Sequence, residues 1–434
     1  MKKTIEQKLM SKVTKRPNKL IYNLLGGVVK MVMAPRLGVN YIYKIDVKKI
    51  KGPFILISNH ASRSDYVYTG FAFLPHTINF VVGHNEFYRS HLKGIFSIMQ
   101  TIPKRNFVPD FYTVKEMVRI LKSGGNICFM PEGMSSISGE NQPIANGSAK
   151  FIKHSKVPVY FTKISGGYLT ETKYCLDQRC GKVDVVIDQM FTVEDLERLS
   201  VEEINDIIEE KIYNDDYAYN AEKKYTYKTN GEVAKDLETL LFMCPTCGKK
   251  HIMKSDKDKL YCTECGAGVQ IDDTYAFTPL TENTVYPKSP SQWYRWQRQT
   301  IKAELIANPD FVLSQKVKLG VLPKYEYLKK TETSIIAGEG MLKLDKTGLS
   351  FEGVRDGEPF TFFIPIAQLP TYGMCTDVTR FYTFATGEFL EFYPETNKVS
   401  EWFITTEEMH RIQGGKWQDF KWADKPIELI NQQK

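Results

Sequence analysis

The stretch PFILISNHASRSDY, residues 53–66, begins with an apolar run that gives way to polar residues at Ser58 and Asn59. Such a run reads as a buried strand. Its exit holds a histidine and an aspartate five positions apart, His60 and Asp65. The carboxyl ends of strands are where α/β domains place their ligands, so His60 is predicted at the rim of a sheet. Asp65, about one helical turn further on, can accept the proton of one imidazole nitrogen and fix the tautomer, leaving the other nitrogen as a base for a hydroxyl. Taken alone, the pair better fits a surface histidine near an aspartate at a helix N-cap.

Outward from this stretch, β-rich runs alternate with helical patterns. Strands are predicted at 53–58, 78–83, 126–131, 157–164 and 183–188. Val114, Met117, Val118 and Leu121 recur at helical spacing, and Gly124 and Gly125 stand where that helix should stop. The alternation predicts the α/β class: a mixed sheet covered by helices over residues 41–240, closed by the charged, mainly helical stretch 193–240.

The chain has 434 residues, enough for two or three domains, and its 42% hydrophobic content excludes a disordered or fibrous protein. Net charge is +7, unevenly placed: residues 1–36 carry nine Lys or Arg, with Glu6 as the sole acid. That end is expected to seek an anionic partner such as a membrane surface. The apolar stretch LIYNLLGGVVKMVMA, residues 20–34, is too short to span a bilayer, and no small-residue cleavage site of a signal peptide follows it. Residues 1–40 are therefore read as a basic amphipathic segment. It either lies in a membrane interface through Ile21, Leu24, Leu25, Val28 and Val32 or packs as an ordinary helix on the domain.

Four motifs then follow in order. The first, N-H-x-S-x-x-D at residues 59–65, resembles the H-x4-D motif of the glycerolipid acyltransferases, the lysophosphatidic acid acyltransferase family. GIFSIMQTIPKRN, residues 94–106, places Arg105 where the family's second motif ends in arginine, with Lys104 beside it. FMPEGMSS, residues 129–136, sets Pro131, Glu132 and Gly133 on the third motif, and VPVYF, residues 157–161, resembles the fourth, an apolar run around Pro158. The resemblance covers about residues 40–240.

It implies transfer of a fatty acyl group from an acyl thioester, acyl-CoA or acyl carrier protein, to the hydroxyl of a lysophospholipid, 1-acylglycerol-3-phosphate among them, without a catalytic metal. His60 would be the base, steadied by Asp65. Lys104 and Arg105 would meet the acceptor's phosphate. Glu132, next to Pro131, would hydrogen-bond the acceptor's hydroxyls, and Gly133 would let the backbone approach closely. One departure stands out: Met134 and Ser135 occupy the positions of the family's threonine and arginine. Loss of that cation leaves open which lysolipid is the acceptor.

Cys244, Cys247, Cys262 and Cys265 form C-x2-C-x14-C-x2-C, with Gly248 and Gly266 just after the pairs. Two such knuckles bring four thiolates to tetrahedral positions, so residues 241–275 are read as a structural zinc ribbon, with iron in a rubredoxin-like site as the alternative. Paired thiolates suit a reducing compartment. Asp256, Asp258, Glu264, Asp272 and Asp273 offset the ribbon's lysines, and no nucleic-acid partner is expected.

Residues 276–332 are read as a linker, at Pro287 and Pro290, and a helix capped by Ser291 that carries Trp293, Trp296, Ile301 and Leu305. From 333 to 434, short alternating runs, EWFIT at 401–405 the last of them, precede the helical TTEEMHRI. They predict a small antiparallel β domain closed by a helix, whose pattern resembles a pleckstrin-homology or GRAM-type barrel. The tail GKWQDFKW, with Trp417, Phe420 and Trp422 beside Lys416 and Lys421, is read as packing. His76, His84, His91, His154, His251 and His410 are read as structural or solvated. The expectation is a peripheral enzyme on the cytoplasmic face of a membrane. Its rivals are an impaired lipid-binding adaptor and a ribbon-dominated nucleic-acid-associated protein.

Overall fold

The apolar run at residues 53–58 becomes strand β2, Ile55–Ser58, buried at every position. The structure, a computed structural model, describes residues 2–145, 147–415 and 421–431. Around β2 lie β1 (Val39–Tyr43), β3 (Ile78–Gly83), β4 (Ile102–Lys104), β5 (Asn126–Phe129), β6 (Val159–Ser165) and β7 (Val183–Phe191), in the order β1-β7-β6-β2-β5-β3-β4. All neighbours are parallel except β6 and β7. The sheet is therefore mixed, as expected. β1 and β4 were not anticipated: β1 is an edge strand without full burial, and β4 spans three residues with Pro103 among them, too short for a periodicity to register.

Alternation along the central strands sends side chains to opposite faces. Ile55, Ile57, Ile127 and Phe161 pack with Met117, Ile120, Ile204 and Ile208 on one side. Leu56, Cys128 and Tyr160 pack with Val67, Tyr68 and Phe71 on the other. Helices thus cover both faces, which a mostly parallel sheet requires. The helix Phe111–Lys122 starts where Asp110 accepts from Thr113 N at 3.1 Å. It gives way to Gly124 at φ 79°, a left-handed turn that suits glycine.

The cysteine segment forms β8 (Met253–Asp256), β9 (Lys259–Cys262), β10 (Gly268–Ile271) and β11 (Phe277–Pro279), an antiparallel sheet. β12 (Tyr286–Pro287) pairs with β20 (Leu429–Ile430). The helix Pro290–Ala307 is capped by Ser289, not Ser291, with Pro290 in its first turn, where a missing N–H is harmless. Pro290 therefore starts a buried helix. Trp293, 1% exposed, donates its indole N–H to Met243 O at 2.9 Å and fixes that helix to the ribbon.

The last sheet is antiparallel, ordered β16 (Glu358–Pro365), β15 (Gly348–Arg355), β14 (Ile335–Asp345), β13 (Leu313–Val321), β19 (Glu388–Pro394), β18 (Phe381–Ala385) and β17 (Gly373–Met374). It begins at β13, upstream of residue 333, because the alternating LSQKVKLGV run pairs centrally between β14 and β19. EWFIT is not a strand. Residues 401–405 belong to the closing helix Val399–Ile412, where Trp402, Phe403 and Ile404 are fully buried. A local run of β-favouring residues is overridden by packing on all sides. Of the tail, Lys416, Trp417 and Phe420 lie outside the described residues. Trp422 is buried against Tyr213, and Lys421 pairs with Asp206 and Glu209.

The last sheet also leans on the first lobe. Asp377 N donates to Lys173 O at 2.8 Å, Asn106 Nδ2 to Tyr382 Oη at 3.3 Å, and Met374 N points at Met134 Sδ at 3.2 Å. Asn106 and Met134 lie on the loops that follow β4 and β5, at the ends of the second and third motifs, while Lys173 follows β6 and the helix Gly167–Thr170.

Candidate functional site

β2 ends at Ser58, and the chain turns at once into the helix Asp65–Ala72. Two hydrogen bonds pin the turn to β6: Asn59 Nδ2 donates to Ile164 O at 2.8 Å, and Ile164 N donates to Asn59 Oδ1 at 2.7 Å. His60 follows, with its side chain 26% exposed. Its Nδ1 lies 2.8 Å from Asp65 Oδ2. Asp65 is fully buried and accepts also from Ser62 N, at 3.0 and 2.9 Å to its two oxygens, and from Ser62 Oγ at 3.0 Å. A carboxylate can only accept, so the proton belongs on Nδ1 and Nε2 keeps its lone pair. That leaves a nitrogen able to take a proton from whatever is brought to it.

Glu132 is placed differently from the expectation. It is 1% exposed, and its oxygens are already engaged: Oε1 accepts from His60 N at 2.7 Å and Asn141 Nδ2 at 2.9 Å, and Oε2 from Gln142 N at 2.7 Å. Burial above all pushes its carboxyl up to about 8, against the pull of those hydrogen bonds. The group expected to meet an acceptor's hydroxyls instead holds the backbone of His60. Ser136 N adds a second tie, donating to His60 O at 2.7 Å. Pro131 is buried, and its carbonyl accepts from Ala145 N at 2.9 Å. Gly133 is required by its backbone, at φ 74°, rather than by a close approach. A Cβ there would stand 3.5 Å from Phe107 Cε1, ordinary contact.

The second motif's cations are also engaged. Lys104 Nζ donates to Arg105 O at 2.8 Å, and burial above all lowers its pKa. Arg105 Nη2 bonds Glu6 Oε1. The same carboxylate receives Tyr88 Oη at 2.9 Å and lies 2.5 Å from His84 Nε2. Burial works against its charge, yet His84, Arg105 and Tyr88 hold the Glu6 carboxyl down at about 2. The guanidinium expected to meet a phosphate meets an acid of the N-terminal helix Ile5–Ser11. Asn59 and Ser62 stood inside the quoted motif without an assigned role. Asn141, Gln142 and Glu6 carried no local signal, since their partners are brought to them by the fold.

Residues 38–164 match the family model described as Acyltransferase. This segment is an acyltransferase-family domain. The acyltransferase domain's matched range holds His60, Asp65, Arg105 and Glu132. Among solved structures, the 1-acyl-sn-glycerophosphate (LPA) acyltransferase PlsC from Thermotoga maritima is similar at 21% identity, with a TM-score of 0.36, over 45% of this chain and 76% of that one. A comparison with curated proteins finds none that matches.

Beyond the acyltransferase domain, the four knuckle cysteines bring their sulfurs within 4.8 Å of one another. Cys244 and Cys265 Sγ are 3.7 Å apart, Cys247 and Cys262 Sγ 3.8 Å. Ligands about 2.3 Å from a tetrahedral Zn2+ stand at about this spacing, so the donor set fits a structural zinc ion. Each knuckle closes on its glycine: Gly248 at φ 73° donates to Cys244 O, and Gly266 at φ 72° to Cys262 O. When bound, the ion would cross-link the two knuckles.

Two outcomes follow from these placements. Glu132→Gln would set an amide against a donor in a buried site, so it should lower stability by about 1–3 kcal/mol. It should reduce turnover while leaving the acceptor's KM unchanged, since the side chain touches His60's backbone; a thermal melt and steady-state kinetics check this. Metal analysis should find one zinc per chain. Cys247→Ser should abolish it and lower the melting temperature, with Trp293 fluorescence reporting the loosened ribbon.

Proposed function

We propose that this chain moves a fatty acyl group from an acyl thioester, acyl-CoA or acyl carrier protein, to the hydroxyl of a lysophospholipid. The observation that carries the reading is the His60–Asp65 pair at 2.8 Å, with its carboxylate buried and held by Ser62. His60 Nε2 takes the proton of the acceptor's hydroxyl as its oxygen attacks the thioester carbonyl. The imidazolium, stabilised by Asp65, then gives that proton to the departing thiolate. Two bound substrates held together by the surrounding loops react as one, which lowers the barrier further.

Access to such lipids is supported by the helix Lys19–Leu37. Leu20, Ile21, Leu24, Val28, Met31 and Val32 project from it at helical spacing, and Leu24 is 68% exposed. Among the described residues no helix is long and apolar enough to cross a membrane. An exposed apolar face beside Lys19, Lys30 and Arg36 favours the interfacial reading over ordinary packing. We place the enzyme at the cytoplasmic surface of an anionic bilayer, where thiolates stay reduced.

His60→Ala should lower turnover by roughly two to four orders of magnitude. Asp65→Asn should do nearly as much by favouring the wrong tautomer. An acyl-transfer assay with both donor types against a lysolipid panel measures this, and undiminished H60A activity rejects the assignment. Leu24→Asp with Val28→Asp should abolish co-sedimentation with vesicles containing phosphatidylglycerol, while wild type sediments and is released by salt.

A further inference from the structure

Ser135 stands where the resembling family carries an arginine, and the fold brings a lysine to that spot from another element. Lys173, just past the short helix Gly167–Thr170, is 6% exposed, and its Nζ lies 3.1 Å from Ser135 Oγ. Among the described residues no carboxylate comes within ion-pair distance of this ammonium. The acids that act on it electrostatically, Asp377 and Glu86, are engaged elsewhere. Asp377 accepts from Thr379 Oγ1 and faces Arg380; Glu86 accepts from Asn85 and pairs with Arg89. Burial above all lowers the lysine's pKa to about 8, with Arg63 adding to the effect and Cys375 opposing it.

Arg63 belongs to the His60 turn itself. Its Nη2 makes a 3.3 Å hydrogen bond to Leu176 O, and among the described residues it too has no carboxylate partner. Two cations near one another thus lack counter-ions, beside a loop whose Ser136 N bonds His60 O. A buried, uncompensated ammonium is costly unless an anion joins it. Arg105 is the opposite case, since Glu6 already answers its charge.

We propose that Lys173, with Arg63, holds the phosphate of the acyl acceptor, supplying from a distant element the cation that Ser135 lacks. The Ser135 hydroxyl orients the ammonium, and a phosphate between the two cations replaces their repulsion with charge-assisted hydrogen bonds. The inference rests on reading the His60 turn as the reaction centre, and it makes the acceptor a phosphate-bearing lysolipid.

The test begins with binding, which needs neither donor nor base. A short-chain lysophosphatidic acid below its micellar concentration is titrated into the full chain, beside a monoacylglycerol of the same length. Lys173→Met should raise the Kd of the phosphate ligand by ~10–100-fold, the worth of one charged hydrogen bond. K173R should retain affinity, S135R added to K173M should restore part of it, and the monoacylglycerol should be indifferent to all three. In turnover, K173M should raise the KM for the phosphate acceptor and leave that for acyl-CoA unchanged. Equal loss for both ligands, no loss at all, or a change confined to acyl-CoA overturns the proposal. If K173M does not fold, wild type decides: inorganic phosphate should displace lysophosphatidic acid but not monoacylglycerol, and displacement of both or neither overturns it. An active H60A with normal phosphate binding would instead count against the base and leave this site standing.

Discussion

The hydrogen bond from the His60 amide to Glu132 joins the exits of two neighbouring strands, β2 and β5. Glu132 and Asp65 are both shut off from solvent, so their oxygens have to find donors within the protein. Glu132 takes three donors from two loops, and Asp65 takes the imidazole and Ser62. One carboxylate sets where the histidine's backbone lies, and the other sets which way its ring points. Neither is free to do anything else.

That division explains what the sequence conveyed. The central strands were legible because a buried strand announces itself as an apolar run of bounded length, as ILIS and INFVVG do. His60 and Asp65 were legible because their partnership is local, spanning a single turn. The cysteine pairs were legible for the same reason: each knuckle is complete within a few residues. Glu132 was located but misjudged. A motif gives a residue's position, while its direction depends on Asn141 and Gln142, which fold back onto it. EWFIT was misread because aromatic and β-branched residues carry no helical stripe when every face of the helix is buried. The start of the last sheet escaped because β13 has its partners, β14 and β19, further along the chain.

The relation between the lobes was the least visible part. Lys173, Met134 and Asn106 receive contacts from Asp377, Met374 and Tyr382. These pairs are separated by more than two hundred residues, and no local pattern encodes them. The ribbon belongs to the same shared interior: Cys244, Cys262 and Val269 lie in one apolar cluster with Trp293, Leu319 and Phe381. The four-cysteine segment is thus a keystone between two sheets rather than an appendage.

The pairing of Arg105 with Glu6 also alters what the molecule presents at a distance. A lone guanidinium is a monopole, whose potential fades slowly and is limited mainly by salt. Beside a carboxylate it becomes a dipole, felt only at close range. An anion drifting toward this surface is therefore drawn chiefly by cations with no such companion, and the N-terminal helix, through one acidic side chain, shapes the field that reaches out to it.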